Sequence, residues 1–301
     1  MLIRAVQSYL EIRRATGFQL YNTERRLRDF AHFSSNHADT HIRVVTASAW
    51  AARAASMEER DRRLKDVIRF ARHVRAEDPM HEVPPDYLFA GTRARRLPYI
   101  FTPEQVSQIL EEAGQLNPAG SLRPHTYKTL FGLLASCGLR ISEALSLRLD
   151  DVTADGLLIH KAKFYKSRLV PMHETAERAL RAYLHHRRRV AGATDRIFVS
   201  LLGRPLCYPT VNATFLAILR KLGFRAGPRE PGPRLHDFRH TMAVRALEDC
   251  PRDQIPNHVV ALSTYLGHGR IAHTYWYLHV TPQLMAGIAE ACRVHLHGGT
   301  S

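Results

Sequence analysis

The sequence predicts a mainly α chain: a helical N-terminal domain, then an α-rich domain carrying a small antiparallel β-sheet. Three observations predict it. Apolar residues recur at helical spacing through the first 90 positions, a stretch rich in proline and arginine then intervenes, and short β-like runs stand among the later helical ones. At 301 residues, 45% of them hydrophobic, the chain is long enough for two domains with real cores.

The elements follow in order. Helical spacing marks Ala5–Ala15 (Val6, Tyr9, Leu10), Tyr21–Phe33 (Leu27, Phe30, Ala31), Thr46–Arg53 and Met57–Arg75. In the last of these, Leu64, Val67, Ile68, Ala71 and Val74 form an apolar stripe, opposite a basic one of Arg62, Lys65, Arg69 and Arg72. Prolines at 79, 84 and 85 stop the helical run, since proline lacks an amide N–H and restricts the residue before it. This gives an N-terminal domain over 1–90, a linker over 91–98 holding Arg93, Arg95 and Arg96, and a second domain over 99–301. The second domain opens with Thr102 as helix cap, Pro103 in the first helical position and Gln105 in the third. Tyr127–Cys137 reads as a buried helix ended by Gly138, and Ile141–Leu147 begins another. Leu157–Lys161 and Arg168–Pro171 read as strands joined across Lys163–Lys166, and the remainder is helical around a loop at Gly227–Pro233.

The charge points to a polyanion. Lys and Arg number 43 against 28 Asp and Glu, a formal net charge of +15. Residues 1–96 carry 18 basic and 12 acidic side chains, so the excess is spread over folded sequence in both domains. No run approaches the 18 apolar residues of a membrane span, and the N-terminus turns charged too early for a signal peptide. A cytoplasmic protein without membrane contact is expected. Cys137, Cys207, Cys250 and Cys292 form no C-x-x-C pair and read as small core residues.

Five segments carry chemistry. Gly138-Leu139-Arg140-Ile141-Ser142-Glu143 sets an arginine among core-like neighbours, suited either to holding an anion or to pairing with Glu143. Lys161, Lys163 and Lys166 lie on the hairpin connection. Leu235-His236-Asp237-Phe238-Arg239-His240 places histidine and arginine on one helix face. Leu266-Gly267-His268 and Thr274-Tyr275-Trp276-Tyr277-Leu278-His279-Val280 complete the set.

In order and spacing this set resembles the tyrosine recombinase (phage integrase) family over residues from about 98 to 282. The family's segments are an arginine in G-L-R-x-S-E-L, a hairpin lysine, H-x-x-R-H, L-G-H and a tyrosine in Y-x-H-V. The resemblance implies that family's catalytic fold, with a helical core-binding domain before it. It puts Arg140, Lys163, His236, Arg239, His268 and Tyr277 in the catalytic places, with Lys161 and Lys166 as rivals for the lysine. Tyr275 is the rival nucleophile, but two residues apart on a helix face nearly opposite ways. The nine-residue step from His268 and the following Leu-His-Val favour Tyr277. His240 is read as support for the fold.

The chemistry suits these residues. A free phenol has a pKa near 10 and is only about 0.1% ionised at neutral pH, so paired guanidiniums are wanted to hold the phosphate and steady the developing charge. The resemblance implies that Lys163 protonates the leaving 5′-oxygen, His236 shares in proton transfer on the tyrosine side and His268 donates to the phosphate. A covalent 3′-phosphotyrosyl link conserves bond energy, so neither cofactor nor metal is expected. The implied function is site-specific recombination of double-stranded DNA for a mobile element (integration, excision or transposition), by a homo-oligomer, tetrameric in the synaptic complex. The amphipathic segment Pro282–Leu296 either packs on its own domain or docks on a neighbouring protomer. A type IB topoisomerase and a non-catalytic DNA-binding protein on the same fold are the competing readings.

Overall fold

In the computed structural model the described residues are 2–18, 20–89, 97–160, 167–190, 194–227, 232–251, 254–267 and 270–278; the side chains of Trp276 and Leu278 are not among them. The chain divides into two compact units, residues 1–95 and 96–301.

The described residues of the first unit form four helices: α1 (Leu2–Ala15), α2 (Tyr21–Asn36), α3 (Val44–Ala52) and α4 (Met57–Val74). Helix α4 shows how sequence sets structure here. Ser56 caps it by accepting from the Glu59 amide, Glu58 and Glu59 lie at its positive end, and Arg72 and His73 at its negative end. Its apolar stripe, including Leu64, Val67 and Ala71, is buried against Phe30 and Trp50, whose rings meet at 5.3 Å. Trp50 Nε1 donates to Asp29 Oδ2 at 2.8 Å, so the indole's one polar atom is satisfied inside the core. Arg62, Lys65, Arg69 and Arg72 all point outward.

The second unit begins with α5 (Pro103–Ala113), α6 (Leu122–Cys137) and α7 (Ile141–Ser146). Thr102 and Gln105 cap each other's backbone at the start of α5, as the sequence predicts. Helix α6 starts five residues before the Tyr127 expected from periodicity. Ser121 accepts from the Arg123 amide, and Pro124 falls in the first turn, where an amide needs no helical partner. A single 3-10 turn, Leu149–Asp151, leads into an antiparallel sheet of β1 (Val152–Thr153), β2 (Gly156–Ile159) and β3 (Arg168–Val170), in that order. Strand β1 escapes sequence reading because two residues have no period. Helices α8 (Glu174–Arg187), α9 (Tyr208–Lys221), α10 (Leu235–Glu248), α11 (Ile255–Leu266) and α12 (Ala272–Leu278) complete the unit. Phe131 of α6, Phe215 of α9 and Phe238 of α10 meet in the core, and Phe101 stacks on Phe238 at 4.9 Å. A second apolar cluster joins α10, α11 and α12 through Ala243, Val244, Leu247, Val259, Leu262, Leu266 and Tyr277.

The sheet turns tightly between Thr153 and Gly156, which pair across β1 and β2. Gly156 has φ +135°, and a Cβ there would collide with the Val170 carbonyl and stand 2.9 Å from Pro171 Cα. Gly156→Ala is therefore expected to cost about 2 kcal/mol or more. A thermal melt should show a lower midpoint; an unchanged one would mean that the turn relaxes freely.

Candidate active site

Helix α10 supplies the centre of the site. Its start is fixed by Asp237, whose buried carboxylate accepts from the Arg234 amide at 2.7 Å. Thr241 ties the same helix to the beginning of the unit, accepting from the Phe101 amide at 3.0 Å while donating to the Asp237 carbonyl at 2.8 Å. His236, Arg239 and His240 then share one helical face at spacings of three and four.

Arg239 is the most deeply placed charge, only 1% exposed. It faces helix ends instead of a carboxylate: Nη1 donates to the Gly138 carbonyl at 2.7 Å and Nη2 to the Leu266 carbonyl at 2.5 Å. Gly138 follows α6 and Gly267 follows α11, each in the left-handed region (φ 59° and 64°). Such caps end a helix with carbonyls free to accept, and the helix dipole makes that end negative. Both positions are also crowded: a Cβ would lie 3.2 Å from Met242 Sδ at Gly138 and 3.0 Å from Arg168 Nη1 at Gly267. Burial first, then the neighbouring Arg140, push the Arg239 guanidinium down to about 10, so it remains charged at neutral pH.

Arg140 stands just before α7 and makes the Glu143 pair, with Nη1 2.7 Å from Oε1, and Nη2 donates to the Gly267 carbonyl at 3.0 Å. These two contacts use two of five guanidinium N–H groups, and the side chain keeps 28% exposure. Ion pairing and availability to an anion therefore coexist in this residue. Glu143 also accepts from the Arg140 amide at 2.9 Å and from both terminal nitrogens of Arg168 at 3.0 and 2.9 Å. Arg168 Nε donates to the Tyr265 carbonyl at 2.8 Å, which fastens β3 to α11. Burial alone would raise the Glu143 pKa, but the Arg168 bonds and the Arg140 amide overrule it and hold the carboxyl at about 2.

His236 lies at the lip of the site, exposed yet flanked by cations. Desolvation, then Arg239, Arg140 and Arg234, push its pKa down to about 4. The ring still meets solvent, and the like charges around it act in the same direction as burial. His236 is neutral at pH 7. Its ring meets that of His240 edge-on at 4.6 Å.

The two rival tyrosines part company on α12. Tyr275 is 45% exposed, whereas Tyr277 is 2% exposed and its oxygen lies 3.2 Å from His240 Nδ1. Tyr277 and Arg239 also interact electrostatically. The structure thus gathers Arg140, His236, Arg239 and Tyr277. Lys163 and His268, together with Lys161, Lys166 and the segment Pro282–Leu296, lie outside the described residues. Sequence reasoning gave Arg168 no role and left His240 to the fold. Spacing carries a signal for His240, one helical turn beyond His236, but none for Arg168, whose partner is 25 residues away. Among the described residues no group of three or more His, Cys, Asp or Glu is arranged to hold a metal ion, and no helix is long and apolar enough to cross a membrane.

Comparison with known proteins bears on the family and the fold. The profile of the phage integrase family matches residues 99–283. A protein of Sinorhizobium fredii (strain NBRC 101917 / NGR234), y4rB, which carries the name integrase/recombinase, is 41% identical over 298 residues, covering 94% of each chain. The tyrosine recombinase XerD of Rhizobium meliloti (strain 1021) is 28% identical over 303 residues, covering 95% of this chain and 93% of its own. Among solved structures, the XerH site-specific recombinase bound to palindromic difH superposes with a TM-score of 0.67 at 19% identity, over 89% of this chain and 78% of that one. The Tn1549 transposon integrase in complex with circular intermediate DNA gives 0.65 at 18%, over 91% and 94%. Both likenesses concern the fold.

The Glu143 network yields a prediction about acid stability. A carboxyl with a depressed folded-state pKa contributes stability that is complete above its unfolded value, about 4.5, and is lost as pH falls through about 2. The shift corresponds to on the order of 3 kcal/mol. Glu143→Gln should therefore lower the urea midpoint markedly at pH 7 and much less near pH 2. An equal loss at both values would show that the carboxylate's charge is not what matters.

Proposed function

The chain belongs to the phage integrase family of DNA breaking and rejoining enzymes, and we propose that it is a site-specific tyrosine recombinase working through a covalent 3′-phosphotyrosyl intermediate. The observation that carries this reading is the placing of Tyr277, alone of the two rival tyrosines, against the helix that bears Arg239.

The steps follow from the side chains. Arg140 and Arg239 hold the non-bridging oxygens of the scissile phosphate and offset the charge that builds in the transition state. Each charge-assisted hydrogen bond contributes about 1.5–3 kcal/mol. Access to Arg239 requires that the phosphate share it with the carbonyls of Gly138 and Leu266 or displace one of them. His236, neutral and at the lip, is suited to donating a hydrogen bond to the same phosphate, as is His268. Tyr277 attacks phosphorus, and Lys163 protonates the departing 5′-oxygen. The 5′-hydroxyl of a second strand reverses the step. Bond energy is kept throughout, so the reaction needs no nucleotide cofactor.

Double-stranded DNA is the proposed partner. The outward stripe of Arg62, Lys65, Arg69 and Arg72 on α4 supports a DNA-facing role for the first unit as a core-binding domain, and the net charge of +15 agrees with it. Arg72→Ala should lower the slope of log affinity against log salt by about one if that residue contacts a phosphate. We further propose a tetramer on paired sites, with residues 282–296 docking on a neighbouring protomer, and a mobile element as the source of the sites. The Tn1549 transposon integrase among the structural neighbours is in keeping with this origin. Deleting residues 283–301 should spare DNA binding but impair assembly; unaltered assembly on paired sites argues against docking.

The nucleophile has a direct test. Incubated with a nicked cognate site, the wild-type protein and Tyr275→Phe should form a denaturant-stable adduct with DNA, and Tyr277→Phe should form none. An adduct that persists in Tyr277→Phe and vanishes in Tyr275→Phe would reverse the assignment.

A further inference from the structure

We propose that His240 is a catalytic residue: the general base that takes the phenolic proton of Tyr277 during strand cleavage and returns it on rejoining. The inference rests on the reading of Tyr277 as nucleophile and adds to it the destination of the proton.

Position carries the argument. His240 Nδ1 lies 3.2 Å from the Tyr277 oxygen, at the outer edge of hydrogen-bond reach and within the range a general base needs. The imidazole and phenol rings lie 5.5 Å apart and tilted by 58°, while His236 meets His240 nearly perpendicularly, at 86°. The His240 ring is thus flanked on both sides. The tautomer with hydrogen on Nε2 leaves Nδ1 with a lone pair for the phenol. Tyr277 is closed off from bulk water by the α10–α11–α12 cluster, so a proton acceptor is best supplied by the protein.

Comparison with His236 sharpens the choice. Arg239, Arg140 and Arg234 all oppose protonation of His236, and Glu143 alone favours it. A ring so placed accepts a proton poorly and donates a hydrogen bond well. His240 lies one turn further along α10, beside the nucleophile. The two histidines divide the work, His236 toward the phosphate and His240 toward the phenol, which moves to His240 the tyrosine-side proton transfer that the family resemblance implies for His236.

The step balances. The Oη–H bond of Tyr277 breaks as Nδ1–H forms on His240, and the phenolic electron pair forms the Oη–P bond. The P–O5′ bond breaks with its electrons going to the 5′-oxygen, which takes a proton from the general acid assigned to Lys163. Rejoining reverses each transfer, and His240 gives its proton back to Tyr277.

Single-turnover adduct formation on a nicked site tests the proposal. His240→Ala should slow cleavage by about 100-fold or more near pH 7, the range for loss of a general base, with DNA affinity unchanged. His240→Gln keeps a hydrogen-bonding side chain but no basic nitrogen, so it should be as slow. Added imidazole should restore part of the rate in His240→Ala. The deficit should narrow toward about pH 9.5, where a phenol begins to ionise unaided. Among the described residues His236 meets His240, Arg239 interacts with Tyr277, and Arg140, Arg234 and Glu143 act on His236, so wild type is run at each pH as the reference. A His240→Gln protein that cleaves at the wild-type rate overturns the proposal, as does a His240→Ala deficit that ignores both imidazole and pH. If His240→Ala does not fold, the pH profile of His240→Gln decides alone. Adduct formation by Tyr277→Phe would instead remove the nucleophile reading on which the proposal rests, and is scored separately.

Discussion

A positive charge sealed inside a helical domain without a carboxylate of its own is the constraint from which the rest of the site follows. Arg239 is 1% exposed, and isolated charges are not buried at such depth unless their N–H groups are satisfied. Here the acceptors are the carbonyl ends of two helices, α6 and α11, brought together over one guanidinium. That solution dictates much else. Both helices must stop in the left-handed conformation, which asks for glycine at 138 and 267. Because the arginine spans them, the ends of α6 and α11 cannot move apart without orphaning a buried donor. Arg140, which follows the first of those ends, is thereby delivered to the second, where its Nη2 reaches the Gly267 carbonyl.

Around that centre the charges are shared unevenly. Arg140 and Arg168 both turn to Glu143, which accepts four hydrogen bonds and remains ionised to about pH 2. The carboxylate works as a positioning group: it orients Arg140 at the start of α7 and ties it, through Arg168, to β3 and α11. Breaking such a pair leaves two guanidiniums without a counter-charge in a partly buried site, which is why its loss is felt beyond one contact. His236 responds to the same field from the outside and stays neutral.

Much of this was legible in the chain. The stripes of α4, the Thr102–Gln105 cap and the glycine after Cys137 are local features, decided by residues within a turn of each other. The nine-residue step from His268 and the following Leu-His-Val favour Tyr277 over Tyr275, and the two differ in burial. What could not be read were relations between distant positions. Arg168 belongs to a strand too short to show a pattern, and its function depends on Glu143 and Tyr265 lying across it. The approach of α12, which brings the Tyr277 oxygen to the His240 ring from 37 residues away, likewise leaves no trace in local spacing. Periodicity tells which face of a helix is buried; it does not tell which helix will cover it.

The charge arrangement also suits the phosphodiester of the proposed reaction. In the network of Arg140, Arg168, Arg239 and Glu143, three guanidiniums face one carboxylate, and the carbonyls that steady Arg239 contribute only partial charge. A second carboxylate would cut the excess but would also repel the substrate. Leaving the excess uncompensated makes the resting site receptive to an anion and most receptive when the anion's charge is growing, as in the transition state of phosphoryl transfer. The same excess favours the anionic form of a phenol beside it. In the proposed reaction, binding of the phosphate and arming of the tyrosine therefore draw on one set of cations, and the helix ends that hold Arg239 in place serve both.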